Sequence, residues 1–162
     1  WDDDVDISTH DLYHVNKNHY NSKIYYKNGI YTTIYNNSID LLKMFVDYKE
    51  YINHLCPGLI SLIIENNYLK GYEMKKGQIV SNEKCIEFME NNKLKLIEFM
   101  HKSNYYYSNW KGKNTIYVNN EYSLIDLDSF IKIKKTNNYF WHTKLDWYVK
   151  NVEIISNKIP QN

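Results

Sequence analysis

Apolar and polar positions follow two different periods along the chain, and each change of period marks an element. Residues 23–27 and 30–35 are rich in Ile, Tyr and Thr and flank Asn28-Gly29. That dipeptide suits a type I′ turn, in which both central residues take positive φ, so the segment predicts a β-hairpin. From Ser38, a candidate N-cap, the apolar residues Ile39, Leu42, Met44, Phe45, Tyr48, Ile52 and Leu55 recur at helical spacing, and Pro57-Gly58 closes the predicted helix. Residues 59–64 and 68–74 read as buried strands joined through Asn66-Asn67, with a turn at Lys75-Lys76-Gly77 after them. Ser81 or Asn82 caps a second helical region that reaches His101. Cys85, Ile86, Phe88 and Met89 share one face there, Leu94, Leu96, Ile97 and Met100 continue it, and Asn91-Asn92 predicts a kink or a break into two helices. A polar loop, a short strand, a turn at Asn119-Asn120 and a second strand ending in Asp126 and Asp128 follow. Beyond Phe130 the chain is polar to Asn138, then aromatic at Tyr139-Phe140-Trp141, and a last helix is predicted over about 144–155. The order of elements predicts an α+β fold with two sheet regions separated by helices.

Composition changes this picture in a few places. A chain of 162 residues is long enough for one domain with a core. All 20 cationic residues are Lys, so no guanidinium is present to clamp a phosphate in bidentate fashion, and lysine, backbone amides or a metal must do that work. The abundance of Lys, Asn, Ile and Tyr with no Ala points to an AT-rich genome as the source. A net charge of +1 gives no electrostatic case for a nucleic-acid or membrane partner. Cys56 and Cys85 lack C-x-x-C spacing and read as reduced, buried thiols, which points to a cytoplasmic protein. No apolar run approaches the roughly 18 residues of a membrane span, and no leader pattern opens the chain. Asp2, Asp4 and Asp6 alternate like the start of a calcium loop, but the Gly and Glu that such a loop requires are missing, so a solvated acidic tail is expected. His54, His101 and His142 lack metal-ligand spacing, and His54 and Cys56 on one helix do not face each other.

The chemistry concentrates in Tyr107-Ser108-Asn109-Trp110-Lys111-Gly112-Lys113-Asn114 and in Ile125-Asp126-Leu127-Asp128-Ser129. The hairpin between them brings the amide of Asn114 and the carboxylate of Asp126 to the same end. Oxygen ligands converging there suit Mg²⁺, which binds through one or two protein oxygens together with substrate phosphates. The order of these residues resembles the catalytic segment of the protein-kinase-like superfamily, a loop H-R-D-x-K-x-x-N followed by a D-F-G turn. On that pattern Tyr107 falls on the His, Ser108 on the Arg, Asn109 on the Asp, Lys111 on the Lys, Asn114 on the Asn, and Asp126 on the Asp of D-F-G. Two further stretches resemble the family: residues 47–60, like its helix leading into a strand, and residues 68–77, like the strand that runs into the hinge. Leu145-Asp146-Trp147-Tyr148 is similar to the start of the helix that buttresses the catalytic loop.

The resemblance implies a single domain with a two-lobed protein-kinase-like fold. A small antiparallel β-sheet lobe with one helix would span about 10–74 and a reduced, mostly helical lobe about 78–162, behind an acidic tail at 1–9. It implies ATP and Mg²⁺ as cofactors, with the metal on Asn114 and Asp126, and Asp128 as a second ligand or a turn cap. Lys111 would neutralise charge on the transferred group, backbone groups at Glu73 and Met74 would hold the adenine edge, and Lys27 or Lys23 would reach the phosphates. The acceptor would be a hydroxyl of a protein or a small molecule. The chain departs from the family at three points. Residues 16–22 hold no glycine, Thr33 stands where the strand lysine is expected, with Asp47 or Glu50 as that lysine's helix partner, and Asn109 stands where a carboxylate would accept a proton. Four readings follow: an active but divergent phosphotransferase, an inactive relative serving as a binding or scaffold module, a chain whose catalytic Asp was replaced by Asn, or an unrelated α+β interaction protein.

Overall fold

A computed structural model describes residues 7–16, 20–110 and 112–132. The expected last helix, Asp146, the aromatic run at Tyr139 to Trp141, Lys111 and the acidic residues Asp2 to Asp6 lie outside the described residues. The fold is α+β with antiparallel sheets, and the chain divides between Gly77 and Gln78 into two compact units.

The first unit contains strands β1 (Asp11–Asn16), β2 (Ser22–Lys27), β3 (Ile30–Ile39), β4 (Leu59–Glu65) and β5 (Tyr68–Lys75) and helices α1 (Leu42–Asp47) and α2 (Lys49–Leu55). The strands form one antiparallel sheet in the order β1-β2-β3-β5-β4. The hairpin β2–β3 turns at Asn28 and Gly29 (φ 50° and 79°), and β4–β5 turns at Asn66 and Asn67 (φ 52° and 65°), as their sequences predict. Tyr35, Phe45, Ile52, Leu55, Leu62 and Leu69 are buried and form much of this unit's core. Gly71 sits where β3 comes closest: a Cβ there would lie 2.1 Å from the carbonyl oxygen of Thr33.

Two expectations are corrected here. Ser38 does not cap a helix. It lies inside β3, whose pairing with β5 resumes at Ile39 opposite Leu69 after a break in register, so sheet pairing outweighs the capping signal. The single helix expected as far as Leu55 starts only at Leu42 and divides at Tyr48, where φ and ψ are −117° and 33°. Strand β1 went unpredicted because Leu12, Tyr13 and Val15 are all exposed, leaving no buried alternation to read.

The second unit contains β6 (Gln78–Ile79), α3 (Asn82–Asn91), α4 (Lys93–Ser103), β7 (Tyr105–Tyr107), β8 (Thr115–Val118), β9 (Glu121–Leu124) and β10 (Phe130–Lys132). Ser81 caps α3 by accepting a 3.2 Å hydrogen bond from the Lys84 N–H. The helical region breaks at Asn92, and α4 ends at Asn104 in the left-handed conformation. Strands β6, β8 and β9 form a three-stranded sheet, and β7 pairs with β10. The β8–β9 hairpin turns at Asn119 and Asn120, both at positive φ. Cys85, Met89, Phe99, Tyr107, Trp110, Leu124 and Leu127 are buried. Cys56 in the first unit and Cys85 in the second are free buried thiols; burial drives the Cys56 thiol far above its ordinary range, and Cys85 accepts a hydrogen bond from Thr115. No helix among the described residues is long and apolar enough to cross a membrane.

Candidate functional site

Strand register builds the site in the second unit. Thr115 pairs with Leu124, and the ladder runs one step further, because the Ile125 N–H donates to the Asn114 carbonyl at 3.0 Å. Asn114, on the 3₁₀ turn Gly112–Asn114, and Asp126 therefore sit at one end of the hairpin, although twelve positions apart in sequence. The Asn114 side chain is buried and its Nδ2 donates to the carbonyl of Asn109 at 3.1 Å. That bond fixes the orientation of the amide and leaves Oδ1 as the acceptor atom of the side chain.

Asp126 adopts the left-handed conformation, with φ 66° and ψ 65°, which Asp tolerates better than most residues but still at a cost. Bonds on both sides hold it there. The hydroxyl of Tyr107 donates to the carbonyl of Ile125, immediately before it. The N–H and Oγ of Ser108 both donate to the carbonyl of Ser129, each at 2.8 Å, while the Ser129 N–H returns to the carbonyl of Asp126 at 3.0 Å. Ser129 Oγ also donates to Oδ2 of Asp126 at 3.2 Å, which sets the direction of the carboxylate. The Tyr107 ring is in turn packed edge-on against Trp110 and Phe130, with centroids 5.5 and 5.1 Å away.

Asp128 follows on the 3₁₀ turn Leu127–Ser129. Burial pushes its carboxyl up to about 9, and hydrogen bonding and repulsion from Asp126 push in the same direction. The folded value lies above the unfolded one. The favourable contribution of the neutral acid is thus complete below about pH 4 and is lost as pH rises towards about 9. Asp128→Asn removes that titration. In cation-free buffer the variant should melt progressively higher than the native chain between pH 5 and 9, by about 3–6 °C at the upper end. A pH-independent difference in melting temperature would contradict this placement of Asp128.

Among the described residues no group of three or more His, Cys, Asp and Glu side chains could hold a metal by itself. The oxygen atoms at this end of the hairpin are the amide oxygen of Asn114, the carboxylate of Asp126 and the carboxyl of Asp128, which burial keeps largely protonated at neutral pH. Oxygen donors are the kind a hard cation such as Mg²⁺ takes, together with phosphate oxygens and water.

The remaining predicted residues are placed as follows. Asn109 is half-buried in the loop after β7 and offers its carbonyl to Asn114. Lys111 lies outside the described residues. In the first unit Glu73 accepts a 2.6 Å hydrogen bond from Ser61, and Met74 is buried between Tyr31 of β3 and Leu59 of β4. Lys27 donates to Thr9 at 2.5 Å beside the hairpin turn, Lys23 is exposed, and Thr33 is buried opposite Tyr72. Asp47 is paired with Lys43 at 2.8 Å, and Glu50 is exposed.

The support that Tyr107, Ser108 and Ser129 give Asp126 is largely invisible in the sequence. Only the spacing of Ser129, three residues after an Asp that starts a turn, carries a sequence signal. Gly112 was also missed. Its N–H donates to Asn82 Oδ1 at 2.7 Å, and a Cβ there would lie 2.4 Å from the carbonyl of Val80, so the loop is seated against the start of α3. With only 5 glycines in the chain, one inside a polar loop was a usable sign of close backbone approach.

No family model and no curated protein sequence matches the chain. Among solved structures, it is similar to the kinase PK-1 of Cydia pomonella granulovirus, with a TM-score of 0.48 and 13% identity, over 95% of this chain and 71% of that one. A likeness this slight specifies neither residues nor activity.

Proposed function

We propose that the chain is a two-lobed kinase-like domain that binds ATP with Mg²⁺, and that Asn109 leaves it slow or inert in passing the γ-phosphoryl group to a hydroxyl. One observation carries the reading. Asn114, whose amide is oriented by its own Nδ2 bond, and Asp126, held in a left-handed turn, lie at one hairpin end, in the order and spacing of the kinase-like catalytic segment. In that role Asn114 and Asp126 hold the cation, with Asp128 beside them. The cation, when bound, supplies neutralisation of charge on the phosphate oxygens. Tyr107, Ser108 and Ser129 keep Asp126 aimed, so little reorganisation is needed when the ligand enters. Lys111 adds positive charge near the transferred group, and Lys27 serves the phosphates; Glu73 and Met74 are not assigned to the adenine edge, because β5 is paired there with β3 on one side and β4 on the other. The acceptor hydroxyl belongs to a protein or a small molecule.

An amide at position 109 cannot accept the proton of an attacking hydroxyl. Phosphoryl transfer depends mainly on positioning and electrostatics, so the loss lowers the rate without removing the binding site. Asn109→Asp restores a base, and ATP turnover should rise about 100-fold or more while ATP affinity stays within about threefold. If both forms bind ATP and neither turns it over, the phosphotransfer part of the reading falls and a nucleotide-binding scaffold stands. If neither binds ATP with Mg²⁺, the chain is an unrelated α+β interaction protein.

A further inference from the structure

Strand β1 lies at the end of the first unit's sheet and pairs, among the described residues, with β2 alone. A sheet edge of this kind presents N–H and C=O groups to a further strand, and proteins guard it with Lys, Pro, inward-pointing charges or a bulge. Asp11–Asn16 contains no Lys or Pro, its one irregularity is a bulge, and Leu12, Tyr13 and Val15 are 56%, 64% and 44% exposed. A break in register between Leu12 and His14 puts Leu12 opposite Tyr25 and Val15 opposite Lys23. Those partners are two apart on β2, so the bulge brings Leu12 and Val15 to the same face of the sheet.

We propose that β1 pairs antiparallel with β1 of a second copy of this chain, about a two-fold axis between Tyr13 and His14, giving one continuous ten-stranded sheet. The strand is self-complementary in that register. Leu12 of each copy meets Val15 of the other on the shared face, Asp11 meets Asn16, and no like charges are opposed. The extra residue of the bulge falls at the centre in both strands, so the register agrees on either side of it. Charge selects the antiparallel arrangement. Asp11 opens β1, whereas Lys23 of β2 stands beside Val15 near its other end. Antiparallel pairing sets the acidic end of one strand against the basic end of the other, and parallel pairing would set acid on acid. Each copy offers the same patch to the other, so the assembly closes as a dimer.

Sedimentation of the whole chain from about 5 to about 500 µM tests this, a range suited to a small interface. The mass should rise towards twice the 19.6 kDa of one chain, and Val15→Lys should hold it at one chain with an unchanged melting temperature. A single-chain mass at every concentration overturns the proposal. Leu12→Cys and Val15→Cys then test the register, because Cys56 and Cys85 are buried and do not compete. Under mild oxidation a mixture of the two variants should form mixed disulfide dimers at least about tenfold more readily than either variant alone. Equal yields from each variant alone would overturn the register even if a dimer forms.

Discussion

Replacing Asp126 with Asn should remove the Mg²⁺-dependent ATP binding proposed for this chain. The native chain should melt higher with ATP and Mg²⁺ together than with either alone, because a ligand of the folded state raises stability by mass action. Asp126→Asn should lose that increment, equivalent to about a 100-fold or greater loss of affinity. The choice of Asn keeps the test clean. Asn tolerates the left-handed conformation that Asp126 adopts, so the turn at Leu127–Ser129 should persist while the charge disappears. The substitution also removes the repulsion that Asp128 feels from its neighbour, so the unliganded variant should be no less stable than the native chain. A variant that folds and keeps its full response to ATP and Mg²⁺ would contradict the assignment of Asp126 as the cation ligand.

The second large effect is structural and belongs to the loop that presents Asn109 and Asn114. Gly112→Ala places a methyl group 2.4 Å from the backbone oxygen of Val80 and 2.7 Å from the carbonyl carbon of Ser81, neither of which can rotate aside. The loop must lift off α3 and stretch its bond to Asn82. We expect a loss of about 3 kcal/mol of stability, or about 6–12 °C in melting temperature, and weaker ATP binding with it. Gly29→Ala provides the contrast. Nothing lies within 4 Å of a Cβ there, and the cost comes only from its φ of 79°, about 1 kcal/mol. Equal losses at the two positions would mean that close packing against α3 is not what Gly112 provides.

Much of the local structure could be read from the chain because its signals are local. Asn28-Gly29, Asn66-Asn67 and Asn119-Asn120 each fix a two-residue turn through backbone conformations that Asn and Gly accept readily, and all three turns lie where the sequence puts them. Ser81 and the Asn91-Asn92 break were legible for the same reason. Ser38 misled because a capping side chain is worth about 1 kcal/mol, which continued pairing of β3 with β5 exceeds. Strands β7 and β10 have three residues each, too few for any period to show, and they exist because Tyr107 and Phe130 meet in the core. Strand β1 was hidden by its exposure.

The candidate site was partly legible. The hairpin that unites Asn114 with Asp126 follows from a turn of two residues and the alternation on either side. The supports of Asp126 did not follow. The Tyr107 hydroxyl reaches a carbonyl eighteen residues away, and the bond from Ser108 to Ser129 spans twenty-one, so both depend on tertiary placement that no spacing rule carries. The raised proton affinity of Asp128 likewise comes from burial, which an acidic residue in a hairpin does not announce.

The central claim is that Asn114 and Asp126 share one cation in the presence of a nucleotide. Mn²⁺ can replace Mg²⁺ as an octahedral oxygen-seeking ion and quenches nearby nuclear resonances. In a titration of the chain with Mn²⁺ and ATP, the side-chain amide of Asn114 and the backbone signals of Asp126 and Leu127 should broaden first, and should not do so in Asp126→Asn. Broadening that begins elsewhere, or spreads evenly over the acidic surface while those signals stay sharp, would contradict the claim.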